Sequence, residues 1–348
     1  MKRALLFVAL VLLGVSRASA DSQELCYYLK SDGSYVQVRD RSEIPSEYEA
    51  SAHCIAARAA TSNNSVTGGN SNSRTPAVNS DHMAQPGEVT LHGPTGHAEL
   101  ATALGPIDLR WPRAVEELFG RNPERAMGDA ANAVGRALRT GDFPSSVQAL
   151  NQTWNVVFMD ENMSNSEIPM ALLTACHPGW MLPPANIYIV AQRAARQCSG
   201  GTVSTSEADA RLATILVHEM GHAVEFRLLP MQFSGDRMRA EGFAAWFEQY
   251  ASGYSSVMPQ GRMRSFYGEL ARSSFRNQPT NWVFMGSAED YARASMYFNA
   301  IVSRHGVAGL VDVYQTMQKT GLAFFPAVQQ QFGWDQKKFD QEAQRVAQ

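Results

Sequence analysis

The chain has 348 residues, with 30 Lys and Arg against 33 Asp and Glu and a formal net charge of −3. This balance excludes the basic surface on which nucleic-acid binding depends. No internal repeat is found, so solenoid and propeller architectures are excluded as well.

The first residues read as a secretory signal. Lys2 and Arg3 precede an apolar run of 12 residues, Ala4 to Val15, too short to span a bilayer as a helix. Ala18-Ser19-Ala20 is a small-residue cleavage site, so residues 1–20 are expected to be removed and the mature chain to begin at Asp21. Export to the periplasm or the extracellular space implies an oxidising compartment, and the four cysteines agree with that. They allow three connectivities. The local one, Cys26–Cys54 with Cys176–Cys198, respects the apparent domain division. Sequons at Asn63, Asn151 and Asn162 matter only where secreted proteins are glycosylated.

Residues 21–60 form a small module. Cys26-Tyr27-Tyr28-Leu29 and Tyr35-Val36-Gln37-Val38 are strand-like and flank Ser31-Asp32-Gly33-Ser34, a hairpin pattern. A short helix is expected over Tyr48 to Ala59, and a Cys26–Cys54 bridge would staple an otherwise marginal hairpin. The module weakly resembles hairpin modules at the start of bacterial envelope proteins, which implies an envelope or cell-wall partner; a structural appendage or propeptide is the plainer expectation. Residues 61–95 are rich in Ser, Asn, Thr, Gly and Pro and read as a flexible linker. His82, His92 and His97 lie in or near it and receive no role.

Residues 96–348 read as one globular domain, long enough for a sizeable core. A helix is expected over Ala114 to Arg139, broken near Asn122-Pro123. Trp154 to Met159 and Asn186 to Val190 read as strands. A long helix follows from Ser204 to Leu228, started by Ser204 and Glu207 as a capping box. Further helices are expected over Met238 to Tyr250, Arg262 to Arg272, Ala288 to Arg304 (closed by Gly306) and Val307 to Met317, then two short ones. Strands first and helices later give an α+β fold, mostly helical after a small sheet.

The chemistry sits in Ile215-Leu216-Val217-His218-Glu219-Met220-Gly221-His222-Ala223-Val224, an HExxH pattern within an uncharged helical run. Residues four apart share a helix face, so both histidines can reach one metal ion. Glu219, rotated by about 100°, would lie where a water binds and is a candidate general base. Zinc prefers imidazole in a tetrahedral shell, and a catalytic site needs a third protein ligand. The best is Glu241, which opens Glu241-Gly242-Phe243-Ala244-Ala245-Trp246-Phe247-Glu248 after a gap of 18 residues from His222. That gap is enough for a turn through Leu229-Pro230 and an antiparallel return, with Gly242 admitting close approach of the two backbones.

Here the chain resembles the gluzincin metallopeptidases, and most of all their aminopeptidase-N-like branch, which pairs HExxH with a second helix of this kind. The resemblance implies a thermolysin- or gluzincin-like metallopeptidase core, zinc (Zn2+) held by His218, His222 and Glu241, and Glu219 as catalytic base. It further implies an oxyanion-stabilising tyrosine downstream. Tyr291 is the candidate within Ser287-Ala288-Glu289-Asp290-Tyr291, with Tyr297 second. A strand beside the cleft is expected to bind extended peptide along its edge, and Asn186-Ile187-Tyr188-Ile189-Val190 fits that place, making Asn186 and Tyr188 substrate-binding candidates. Cys176 and Cys198 would pin this strand and its approach loop, Pro178 to Pro184.

Two departures stand out. Many gluzincins carry an acidic residue four positions after the glutamate ligand, where this chain has Ala245; Glu225, Glu248 or a backbone carbonyl must then orient a histidine. The Gly-x-Met-Glu-Asn pattern that captures a substrate's free amine is absent. The expected activity is therefore an exported zinc peptidase, more an endopeptidase than an aminopeptidase, acting on peptide or protein with no stable membrane insertion. A zinc amidase on cell-wall peptides, or a silent binding protein of the same fold, are the alternatives. An intact Glu219 argues against the silent form.

Overall fold

A computed structural model describes residues 24–29, 35–38, 42, 44–46, 53–56, 95–119, 123–148, 150, 152–160, 178–182, 185–195, 204–229, 236–258, 260–277 and 282–348. The chain divides into two compact units, Met1–Ala84 and Gln85–Gln348. The signal segment, nearly all of the 61–95 linker, the Asp32-Gly33 turn, the asparagines of the three sequons, Cys176 and Cys198 lie outside the described residues.

The first unit contains an antiparallel sheet of β1 (Glu24–Leu29), β2 (Tyr35–Val38) and β3 (His53–Ala56), in the order β2-β1-β3. The β1–β2 pair is the expected hairpin, with Cys26 opposite Val38 and Leu29 opposite Tyr35. The helix expected over Tyr48 to Ala59 is not formed at its centre, because residues 53–56 are β3. A lone hairpin is marginal, and a third strand satisfies the second row of β1 backbone groups. That pairing places Cys26 directly opposite Cys54. Opposed Cα atoms in antiparallel strands lie about 4.5–5.5 Å apart, within the range a disulfide spans.

The second unit opens with a hairpin that the sequence reading did not assign, β4 (Thr95–Thr102) and β5 (Gly105–Pro112). Thr102 Oγ1 ties its turn by donating to the Gly105 carbonyl at 2.8 Å and accepting from the Leu104 N–H. A 3-10 turn, Arg113–Leu118, precedes α1 (Pro123–Thr140), so the expected break before Pro123 is present. Then come α2 (Ser145–Gln148), β6 (Trp154–Met159), β7 (Gly179–Leu182), β8 (Asn186–Val190) and α3 (Ala191–Ala195). The sheet order is β4-β5-β6-β8-β7. β5, β6 and β8 run parallel, and the antiparallel strands β4 and β7 close the two sides.

The remainder is helical: α4 (Thr205–Leu228), α5 (Arg237–Ser252), α6 (Gln260–Asn277), α7 (Ala288–Thr320), α8 (Phe324–Phe332) and α9 (Gln336–Val346). A helical unit on a small mixed sheet is the α+β class expected. Ser204 Oγ accepts the Glu207 N–H and starts α4, as read from sequence. Asp236 starts α5 in the same way, and Ser287 and Asp290 form a reciprocal capping box at α7. α7 bends at Gly306, where φ 68° and ψ −178° leave the helical region at an angle that favours glycine. α5 packs between α4 and α7. Its buried Phe243 and Trp246 meet Phe298 and Tyr314 of α7, and Phe247 stacks on Phe243, to form an aromatic part of the core. Among the described residues, no helix is long and apolar enough to cross a membrane.

Candidate metal centre

α4 brings His218 and His222 onto one face, their rings 5.0 Å apart and nearly perpendicular. Glu241, in the first turns of α5, meets both. Its Oε2 lies 3.3 Å from His218 Nε2 and 3.5 Å from His222 Nε2. The three ligand atoms fall within 4.8 Å of one another, and among the described residues this is the group that could hold a metal ion. The donors fit zinc: bonds of about 2.0–2.1 Å in a tetrahedron imply donor–donor spacings of roughly 3.3 Å.

The close crossing of α4 and α5 depends on a glycine, but not on the expected one. A Cβ on Gly221 would stand 3.2 Å from Ala244 Cα and 3.4 Å from Phe247 Cβ, so the glycine inside HExxH admits α5. Gly242 faces α7 instead, where a Cβ would stand 2.8 Å from Phe298 Cε2 and 2.9 Å from Ala294 Cβ.

Glu248 fills the orienting role that Ala245 leaves open. Its Oε2 lies 3.2 Å from His218 Nδ1. With Nδ1 protonated and donating to this buried carboxylate, the His218 Nε2 lone pair is aimed at the ligand cluster. Tyr267, from α6, donates its hydroxyl to the other Glu248 oxygen. Sequence had Glu248 as one of three choices, and nothing in it pointed to Tyr267, which arrives from a separate helix. Glu225 is committed elsewhere, to Arg239 and Tyr314.

The charges are mutually adjusted. Burial alone would lower the His218 pKa, but the hydrogen bonds and charges of Glu241 and Glu248 outweigh it and hold it well above its ordinary value. His222 is raised too, its burial overcome by Glu241. Burial likewise opposes ionisation of Glu241, yet the two histidines keep its carboxyl well below the usual range. Glu219 is 5 % exposed, and there burial wins: its pKa is raised despite the neighbouring histidines.

Tyr291 lies at this site. Its ring centroid is 6.0 Å from that of His218, and its hydroxyl is hydrogen-bonded to Glu241 and Arg237. Burial first, and the Glu241 charge second, raise its pKa. Tyr297 is excluded as a substitute, because its hydroxyl donates to Asp340 at 2.5 Å within the packing of α7 on α9. Arg237 went unnoticed in the sequence, although the signal is simple: it stands one turn before Glu241. Its Nε lies 3.8 Å from Glu241 Oε1, and its guanidinium rests 5.5 Å from the centre of the Phe284 ring.

The strand assignment requires correction. β8, with Asn186 and Tyr188, is not an edge: β6 pairs with it on one side and β7 on the other. Its main chain is thus closed to peptide. Asn186 accepts a side-chain hydrogen bond from Asn155 at 2.9 Å, and the buried Tyr188 stacks on Trp180 at 5.2 Å. The edge on this side of the sheet is β7, formed by part of the segment read as an approach loop. β7 packs on α4, and a Cβ on Gly179 would lie 3.3 Å from Ile215 Cγ2, one turn before His218. His97, left without a role in the sequence reading, pairs with Asp108 at 2.8 Å on the β4–β5 hairpin.

Two imidazoles and a carboxylate converge on one point, a buried carboxylate lies beside them, and a tyrosine stands at their rim. Such a set can hold a divalent cation, take a proton from water and donate to a developing oxyanion. No protein-family model matches the chain, and no curated protein matches it in sequence.

Proposed function

We propose that the chain is an exported zinc-dependent peptidase of the gluzincin type, with endopeptidase action. The observation that carries this reading is the convergence of His218, His222 and Glu241 within 4.8 Å, brought together from two antiparallel helices. His218 Nε2, His222 Nε2 and the Glu241 carboxylate would hold the ion. When bound, zinc supplies a Lewis acid that polarises the scissile carbonyl and acidifies a water.

The chain's own residues do the remaining work. Glu219 accepts the proton of the attacking water on its carboxylate and delivers it to the leaving amine nitrogen. The Tyr291 hydroxyl donates to the oxyanion that develops on the carbonyl oxygen. Glu248, braced by Tyr267, holds the His218 ring in one orientation and tautomer. An extended substrate would add to the edge of β7, where main-chain hydrogen bonds confer affinity without strong choice of side chain. The missing amine-capture pattern is what favours endopeptidase action. The β1–β3 module is a candidate contact for an envelope or cell-wall partner.

Metal analysis with a generic peptide assay tests the reading. Purified protein should carry about one zinc per chain, removable by chelators. His222→Ala should lose the zinc, whereas Glu219→Gln should keep it and lose hydrolysis. Full-occupancy zinc in His222→Ala would sink the ligand assignment, and wild-type turnover in zinc-loaded Glu219→Gln would remove the general base.

A further inference from the structure

Next to the candidate site lies a buried polar trio that the chemistry above does not use. Glu225 is on α4, three residues beyond His222 and on the face that carries the histidines. Arg239 is on α5, two residues before Glu241, and Tyr314 is on α7. Glu225 Oε1 accepts from Arg239 Nη1 and, at 2.5 Å, from the Tyr314 hydroxyl. All three side chains are buried. Arg239 is also near Asp236, whose Oδ2 is 4.0 Å from its Nε and whose Oδ1 caps α5.

Burying an ion pair carries a desolvation cost for each ion, and apolar residues of similar volume are often as stable or more so. Stability alone is therefore a poor reason for a charged pair here. Register is a better one. Besides the ligand set, α4 and α5 meet where Gly221 admits Ala244 and Phe247 and where Glu248 bonds to His218, and the Glu225–Arg239 pair is a further, charged tie toward the other end of the contact. A slip of one helical turn would carry Glu241 about 5.4 Å along α4, out of reach of both histidines. The Glu225–Arg239 pair exists in one register only, and that register sets Glu241 opposite His218 and His222. Tyr314 adds a tie from a third helix to the same oxygen.

We infer that Glu225, Arg239 and Tyr314 are positioning residues: they set the axial register of the two ligand-bearing helices, and so the affinity for zinc, rather than the stability of the fold. The inference rests on the zinc reading given above.

The test replaces the trio together, Glu225→Leu with Arg239→Met and Tyr314→Phe, so that none of the three is left facing the others unpaired. Zinc affinity is measured by chelator competition, and thermal unfolding is measured on the metal-free protein. The expected result is an unfolding temperature at or above that of wild type, with zinc bound about 10–100-fold more weakly, the cost usual for groups that orient metal ligands. Unchanged zinc affinity overturns the inference. So does a loss of metal-free stability that matches the loss of zinc affinity, because the trio would then be a stability element. Should the triple variant not fold, Tyr314→Phe decides: zinc binding weaker by about tenfold supports the inference, and unchanged affinity overturns it. A wild-type chain that binds no zinc overturns the zinc reading and the inference with it. A wild-type chain that binds zinc no more tightly than the triple variant overturns the inference alone.

Discussion

Tyr291 and Tyr297 are six residues apart on one helix, and their surroundings give them different work. Tyr291 touches Glu241 and Arg237 beside His218, whereas Tyr297 is held by Asp340. Tyr291→Phe should therefore lower peptide turnover by about 10²–10³-fold, as removal of one oxyanion donor does, with zinc content and ground-state binding little changed. Tyr297→Phe should leave turnover intact at equal zinc loading. Steady-state kinetics of the two variants checks both, and a full-rate Tyr291→Phe enzyme would remove the tyrosine from the mechanism. At this scale the meeting of the two histidines was legible from sequence because helical spacing alone puts His218 and His222 on one face. Tyr267 was not, because it reaches the site from a separate helix, whereas Arg237 carried a local signal, one turn before Glu241, that was passed over.

At the scale of elements, the glycines separate two contacts that look alike in the sequence. Gly221 faces α5, and Gly242 faces α7. Gly242→Ala would bring a methyl to 2.8 Å from Phe298 Cε2 and 3.1 Å from the Ala294 carbonyl carbon, and backbone cannot step aside cheaply. Overpacking of this kind should cost about 1–3 kcal/mol, measurable by denaturant unfolding of the metal-free protein. A Gly242→Ala protein as stable as wild type would show that α7 yields more easily than its packing implies. Helices were read well because their caps and apolar periods are local: the start of α4 at Ser204 and the break at Gly306 lie where the sequence put them. Strand neighbours were read badly. The residues of β8 announce a buried strand, but whether a strand is interior or at an edge depends on β7, a four-residue strand in a segment with Pro178, Pro183 and Pro184 nearby. The β4–β5 hairpin was missed for another reason: β4 alternates, but its inward positions include the small Gly96 and Ala98, so the apolar signal is weak.

Across the whole molecule, the last helix is tied down by charge. Glu342 of α9 accepts from Arg304 of α7 at 3.0 Å and pairs with Lys338 and Arg345 of its own helix. Those cations hold its carboxyl near 2, below the ordinary 4.5. A folded-state pKa depressed in this way contributes stability above the unfolded value, and the contribution is lost as pH falls through the folded one. Glu342→Gln should thus be less stable than wild type above about pH 5, by about 1 kcal/mol because the partner cations are half-exposed, and the gap should shrink as pH falls toward and below about 2. Thermal unfolding of both proteins across that range measures it; a stability gap at pH 2 as large as that above pH 5 would show that the contact is not ionic. The bridges belong to this scale as well. Non-reducing peptide mapping should find Cys26–Cys54, which the β1–β3 register sets face to face, together with Cys176–Cys198. A crosslink from the first unit to the second would contradict the division at Ala84 and Gln85.

Sequence alone determined what repeats at short range. Two histidines four apart, a carboxylate between them, helix caps and β-rich runs each follow from the chain's local periodicity and the chemistry of a few neighbouring residues. Tertiary structure decided everything that needs two distant segments to meet. It set Glu248 rather than Glu225 behind His218, brought Tyr267 to the site, placed Tyr291 beside His218 and Tyr297 against Asp340, turned Gly242 toward α7 and closed both sides of β8. The physical reason is the same in each case. A side chain's neighbours along the chain are settled by backbone geometry, whereas its neighbours across the core are settled by which of several apolar faces pack together, and local sequence does not encode that choice.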